Sequence, residues 1–462
     1  MEKNDILLGS YSYAALCVVT LIIGCIGWLA HWVYKWTNPP CNGRLPPGSM
    51  GFPIIGETFQ FYRESPSTDM SSYYKQRLKR YGPLFKTSLI GQPMVISLDP
   101  EVNRFIFQQE GKLFQLWYPQ TATSIIGKKS FTTLNGAVLK FFRSLGSKLF
   151  GSENLKESLL PELENSMRES FASWASKPSI DVKDGVSDMI FDLVAKKLAG
   201  LSVTQSRNLR KNFQDFFQGM FSFPIYFPGT SFYRCMQGRR NVRNTLTDLL
   251  KERLNAPGKK YGDLVDLIVD ELQSEKPLID ENFAIDAIAA LMFASFATIS
   301  STLTVAFKFI TDNPKIVQEL KEENEMVLKK RGGVNSAFTW EEYKSLKFTA
   351  QENTNRRARY TIPSGWLVMI SHAIHLNPEL FEDPLQFDPW RWTEKRSSMM
   401  RNYMPFGAGS RQCLGAEFSK LFIALFLHIL VTGYKYINGR RSKEGRYCAS
   451  QRLCFLKAIT SN

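Results

Sequence analysis

The segment with the most chemical content is Pro405-Phe406-Gly407-Ala408-Gly409-Ser410-Arg411-Gln412-Cys413-Leu414-Gly415, followed by an apolar run of helical period over 416–431. A cysteine beside a helix N-terminus feels unpaired N–H groups and the positive end of the helix dipole, both of which favour its thiolate. The glycines let backbone approach a flat ligand closely. Arg411, two residues before the cysteine, can pair with a carboxylate at that ligand's edge. Together these requirements match a haem held by a cysteine thiolate as axial ligand. The bland alternative is a buried structural cysteine at a helix start.

The elements that must position this loop are mostly helical. Residues 153–331 keep helical period, with breaks at 176–179, 223–230 and 255–260, and include one long helix over Glu281–Thr311. Thr339-Trp340-Glu341-Glu342 is a capping box that opens another helix. Earlier, 73–81 reads as a helix, and 84–89 and 94–98 read as a hairpin joined across Gly91-Gln92-Pro93. Asp99-Pro100 starts a further helix. Strand-like pieces recur near 360–370 and 453–459. No repeat period or internal domain boundary is evident. The expected fold is mainly α with a minor β region, one large body behind an N-terminal transmembrane helix.

That helix lies in 6–34, which contains no Lys, Arg, Asp or Glu. About 20 such residues cross a bilayer core. Trp28, Trp32, Tyr34 and Trp36 crowd its C-terminal end, and Lys35 and Arg44 follow, which places the body in the cytosol by the positive-inside rule. We expect 1–36 to be a membrane anchor, 37–56 a Pro/Gly-rich connector acting as a rigid strut, and 57–462 the body.

Composition narrows the rest. The chain has 462 residues, a formal charge of +15 and 44% hydrophobic residues, which excludes wholesale disorder and points to anionic partners. No basic block with interleaved aromatics supports nucleic acid, so the expected partners are membrane lipid and an acidic protein. Seven cysteines without a CxxC pair argue against a disulfide framework or a zinc ribbon, and the four histidines form no HExxH.

Phe406-x-x-Gly409-x-Arg411-x-Cys413-x-Gly415 resembles the haem-loop signature of the cytochrome P-450 superfamily at all its fixed positions. The likeness runs along almost the whole chain. The Pro-rich strut and Pro384-x-x-Phe387-x-Pro389-x-Arg391-Trp392 are similar to microsomal members. Phe227-Pro228-Gly229-Thr230 and Phe387-Asp388-Pro389-Trp390-Arg391-Trp392 look like the plant clan that oxidises sterols and triterpenoids, most of all cytochrome P-450 family 87. The resemblance implies haem b with Cys413 as axial ligand and Phe406, Gly407, Gly409 and Gly415 in the haem loop. Arg411 and Arg143 would pair with the propionates. Trp117, Phe221, Phe293, Ala294 and Ala297 would line a pocket for a lipophilic substrate. It further implies an endoplasmic-reticulum location, a cytosolic haem domain and electrons from a NADPH-cytochrome reductase.

Two departures stand out. Where the family carries an acid before the proton-relay threonine, this chain has Ala297-Thr298. Thr298 keeps the catalytic hydroxyl, with the alternative that it only bonds back to its own helix. The second departure concerns a family ion-pair cluster at Glu-x-x-Arg spacing. Here the candidates are Glu352, Arg356 and Arg391, with Glu352 and Arg356 four apart rather than three. Tyr360-Thr361-Ile362-Pro363 then follows at once, leaving out roughly twenty residues, enough for about two short strands. The expectation is an internal deletion between Gln351 and Tyr360 that exposes ladder groups on neighbouring strands. Three functions follow: a monooxygenase, a haem-thiolate isomerase or dehydratase, or a deletion-bearing relative without catalysis.

Overall fold

The computed structural model describes residues 2–38, 40–63, 69–118, 120–127, 134, 136–220, 222, 224–256, 258–331, 337–346, 360–394, 402–438 and 452–456. Helix dominates, with two three-stranded sheets, so the expected fold class is observed. The chain divides into two compact units. One comprises Met1–Phe107, Glu352–Gln386 and Lys395–Pro405; the other comprises Gln108–Gln351, Phe387–Glu394 and Phe406–Asn462.

The first unit opens with a helix over Glu2–Thr37, within which Val18–Thr37 is long and apolar enough to cross a membrane and contains no buried residue. Behind it, the Pro/Gly-rich segment packs along strand β1 (Leu84–Leu89) instead of standing off as a strut: the Lys86 amide donates to the Pro47 carbonyl at 2.8 Å and Met50 is buried. Strand β2 (Gln92–Ser97) pairs antiparallel with β1, from Leu84↔Ser97 to Leu89↔Gln92. The turn is therefore Ile90-Gly91, and Gln92-Pro93 belongs to the strand. Both turn residues take positive φ, 51° and 74°, as a two-residue turn between right-twisted strands demands. A β-branched residue seldom accepts that geometry, which is why the sequence points one residue too late.

The other edge of β2 is also paired. Strand β4 (Leu367–Ile370) lies parallel to it, from Met94↔Leu367 to Ser97↔Ile370. Both edges of β2 are thus paired, whereas β4 is an edge strand whose outer side has no strand partner among the described residues, and of 360–370 only these four residues form strand. Beside this sheet, Glu57 is buried and accepts from Arg77 Nε at 2.8 Å, Thr87 Oγ1 at 2.7 Å and the Tyr73 hydroxyl at 3.3 Å.

The second unit is built on the Glu281–Thr311 helix. Asp280 caps it by accepting from the Phe283 amide at 2.7 Å, and most of its length is buried. It packs against helices Val182–Ala199, Ser231–Leu254 and Ala416–Gly433, with Phe191, Phe213, Phe307, Phe422 and Phe426 fully buried among them. The second sheet runs in the order β3 (Ile180–Asp181), β6 (Arg452–Leu456), β5 (Lys435–Asn438). The capping box at Thr339–Glu342 forms both of its reciprocal bonds. Three helix breaks beyond those expected occur, at Gly200–Ser202, where Gly200 closes a helix in the left-handed conformation, at 273–280, and at Asp312-Asn313.

His428 on the Ala416–Gly433 helix is fully buried, with Nδ1 2.8 Å from Asn324 Oδ1. Burial, aided by the charge of Arg331, depresses its pKa to about 4 from 6.5. Between those values the unfolded chain binds a proton that the folded chain refuses. Stability is therefore full above pH 6.5 and falls as pH drops toward 4, by about 1.4 kcal/mol per pH unit for this residue. Urea titrations across that range are expected to show a shallower pH dependence in His428→Gln than in the native chain. Equal slopes would remove His428 as the cause.

Candidate functional site

In the second unit, the residues after Phe406 form a short loop closed by one hydrogen bond, from the Cys413 amide to the Phe406 carbonyl at 2.9 Å. Gly407 and Gly409 sit at φ 69° and 70°, and a side chain on Gly407 would point into open space. Gly409–Arg411 make one turn of 3-10 helix, and the Ala416–Gly433 helix starts just beyond, with Gly415 at its N-cap. The loop thus leaves the Cys413 side chain exposed at a helix N-terminus. Desolvation pushes its thiol pKa up, opposed by the Gly415 amide and the nearby Arg143 charge. The thiol is exposed by area yet surrounded by enough protein to be poorly hydrated, so it stays protonated until a cation draws its proton off.

Arg143, on the Gly136–Phe150 helix, donates through Nη1 to the Gln412 carbonyl at 2.9 Å. Its neighbour Gly146 lets the Leu414 side chain close in, since a Cβ there would lie 2.7 Å from Leu414 Cδ1. Lys420 stands 5.5 Å from the centre of the Phe406 ring. Arg411 is paired with Glu110, a residue that sequence reasoning missed, and also reaches the Leu134 carbonyl.

Along the Glu281–Thr311 helix, Ala294, Thr298, Thr302 and Val305 are exposed while their neighbours Phe296, Ile299 and Leu303 are buried. Spacings of three and four put the exposed set on one stripe. Thr298 Oγ1 donates to the Ala294 carbonyl at 2.8 Å, and Ser295 and Ser300 likewise bond back to Leu291 and Phe296 carbonyls, each at 2.7 Å. Thr298, the hydroxyl expected to relay protons, is thus committed to its own helix, as are the neighbouring hydroxyls of Ser295 and Ser300. Ala297 is half-buried beside Thr298. Phe293 is half-buried and stacks on Phe213 and leans on Phe216, with ring centres 6.5 and 5.5 Å apart. Trp117 is exposed. Arg391 donates through Nε to the Asp388 carbonyl at 3.2 Å. Phe221, Glu352 and Arg356 lie outside the described residues.

The donor chemistry fits a cysteine-ligated haem iron. Cys413 offers one outward sulfur, and among the described residues no cluster of three His, Cys, Asp or Glu competes as a metal site. The carboxylate-binding side fits less simply, because Arg411 already holds Glu110.

Comparison with known proteins places these features. The family model for cytochrome P-450 matches residues 46–352 and 350–444. Cytochrome P-450 87A3 of Oryza sativa subsp. japonica is 45% identical, covering 92% of this chain and 87% of its own. The beta-amyrin 16-alpha-hydroxylase of Maesa lanceolata is 36% identical over 96% of both chains, and the cucurbitadienol 11-hydroxylase of Siraitia grosvenorii is 37% identical over 89% and 92%. The solved structure of a retinoic acid-bound cyanobacterial CYP120A1 shares the fold at TM-score 0.74 and 24% identity, over 91% of this chain and all of that one. The chain belongs to the cytochrome P-450 family. It is an oxidoreductase of the monooxygenase class, and the family implies haem iron with a cysteine thiolate ligand.

The comparisons also bear on the gap. The two matched segments meet at 350–352, where the sequence suggests missing residues. The alignment with the rice protein runs over 449 positions but covers only 92% of 462 residues, about 425, so this chain lacks a residue at roughly two dozen of them.

Proposed function

We propose that this chain is a membrane-anchored haem-thiolate monooxygenase acting on a sterol- or triterpenoid-like substrate with electrons from a NADPH-dependent reductase. One atom of dioxygen enters the product hydroxyl and the other leaves as water, with two electrons and two protons consumed. The exposed Cys413 thiol at the start of the Ala416–Gly433 helix carries this reading. Residues 1–36 serve as anchor in the endoplasmic-reticulum membrane, 37–56 as connector and 57–462 as the cytosolic haem-thiolate domain. The names of the relatives, beta-amyrin and cucurbitadienol hydroxylases, supply the substrate class.

Haem b, when bound, supplies the one-electron and dioxygen chemistry that no side chain can. Cys413 holds the iron, and Arg143 with Arg411 offers cationic partners for the propionates. Phe293 and the aromatic rings behind it keep the substrate side apolar and exclude water. Thr298 holds a hydroxyl on the exposed stripe, and to pass a proton outward it must release the Ala294 carbonyl. With Ala297 in place of an acid, that proton has no nearby carboxylic source on this helix turn. Ala297→Asp is accordingly expected to raise product formed per NADPH oxidised severalfold, measured with a reductase and beta-amyrin; an unchanged ratio would show that proton supply is not limiting.

The deciding test is direct. Express the full chain, reduce it, add carbon monoxide and record the Soret region. A thiolate-type band supports the proposal, and NADPH-driven hydroxylation of beta-amyrin or cucurbitadienol completes it. A second reading, a deletion-bearing relative with impaired or no haem binding, is favoured by the break between the matched segments at 350–352 and the shortfall in the alignment, and predicts a weak band or none.

A further inference from the structure

The guanidinium assigned to a haem carboxylate already holds a carboxylate of its own chain. Arg411 donates through Nε to Glu110 Oε1, Ser410 Oγ donates to Glu110 Oε2 at 2.7 Å, and Arg411 also donates through Nη2 to the Leu134 carbonyl. The two charged side chains are only 15% and 13% exposed, so solvent and salt do not erase their attraction as they would for a surface pair. Glu110 thereby ties the Gly409–Arg411 turn, which precedes Cys413, to a segment three hundred residues earlier in the chain.

Charge balance makes the contact consequential. Arg143 is the cation whose charge acts on Cys413, and its Nη1 is engaged with the Gln412 carbonyl. Haem b brings a pair of propionates, and Glu110 is a third carboxylate for the same pair of arginines. A guanidinium offers five N–H donors, so it can be shared, but its single charge cannot neutralise more than one carboxylate.

We infer that Glu110 is a built-in competitor for the haem carboxylates, a latch that holds the cysteine loop in shape and must give up part of Arg411 when haem enters. The inference rests on the haem-thiolate reading proposed for Cys413 and Arg411. Glu110 is a positioning residue: it acts on the site through Arg411 and Ser410.

The test is a titration of the haem-free full-length chain, in detergent, with haemin, followed by the Soret band and by quenching of tryptophan fluorescence. Glu110→Gln keeps the side-chain shape and an acceptor for Ser410 but removes the charge; it is expected to bind haemin roughly tenfold more tightly than the native chain. Glu110→Asp retains the charge and is expected to show no gain. With haemin dimethyl ester, whose carboxylates are masked, the advantage of Glu110→Gln is expected to vanish. Equal or weaker haemin binding by Glu110→Gln, or the same gain with the ester, overturns the inference while leaving the haem reading intact. If no chain binds haemin with a thiolate-type spectrum, both fall. Should Glu110→Gln misfold by circular dichroism, Ser410→Ala, which loosens the latch, is expected to tighten haemin binding about threefold, and no tightening overturns the inference.

Discussion

Cys413→Ser is expected to eliminate the thiolate-type Soret band of the reduced, carbon monoxide-treated protein and to cut NADPH-driven product formation at least about a thousandfold. The sulfur is the only atom of this loop that combines soft, electron-rich character with exposure, and a serine hydroxyl supplies neither a stable anion nor comparable electron donation. The loop itself should survive the change, because its closing bond uses the Cys413 amide and Phe406 carbonyl rather than the side chain. No compensation is expected from Cys235, which is buried, donates to the Phe216 carbonyl at 3.4 Å and has its thiol pKa pushed up to about 11 by burial. The Cys413 thiol, also raised by burial, must lose its proton to bind iron, so haemin affinity of the native chain should rise with pH. A thiolate-type band persisting in Cys413→Ser would sink the assignment of the ligand.

The largest expected stability loss lies elsewhere in the same unit, at Arg253. Its guanidinium donates to Asp263 Oδ2 at 2.6 Å and Asp266 Oδ1 at 3.1 Å, and sits 3.3 Å from the centre of the Tyr261 ring. Arg253 and Asp263 are 4% and 3% exposed. Burial raises the Asp263 pKa even with Arg253 beside it, so the carboxylate depends on that cation to stay charged. Arg253→Ala removes the cation and leaves two buried carboxylates, a change that costs about 3–5 kcal/mol. Asp263 also caps the Leu264–Leu272 helix and Asp266 accepts from the Tyr261 and Gly262 amides, so the damage should spread through 261–272. Urea unfolding checks this, and Arg253→Ala combined with Asp263→Asn should recover part of the loss. A single-mutant cost below about 1 kcal/mol would show that the network is solvated in solution.

How much of this is visible without coordinates depends on how far apart the interacting residues lie. The cysteine loop is legible because the residues that carry its chemistry, Phe406 to Gly415, are contiguous, and the Glu281–Thr311 helix is legible because Asp280 marks its start and its apolar run is unbroken. The capping box at Thr339 is equally local. Glu110 is not legible: nothing around Glu110-Gly111 distinguishes it from a surface acid, and its meaning comes only from Arg411. The same holds for Asp286, buried mid-helix and paired with Arg239 and Arg243 from another helix. The hairpin turn fails for a different reason, since Ile90 adopts a conformation that its β-branched side chain disfavours and no local rule would assign it. The strand within 360–370 is legible as a strand, but its pairing with β2 is not, because that partner lies more than 270 residues away in the chain.

That β2–β4 pairing also sets an order of events on the ribosome. Met94 leaves the exit tunnel long before Leu367, so β2 waits with an unpaired edge while residues 108–351, the larger part of the second unit, are synthesised. Contacts of such sequence separation close slowly, and an open strand edge is a template for pairing with another nascent chain. The first unit therefore cannot mature vectorially, although its N-terminal apolar helix emerges first. Yield of this chain in a cell should accordingly be governed by chaperone supply and translation speed over the second unit more than by the equilibrium stability of the sheet.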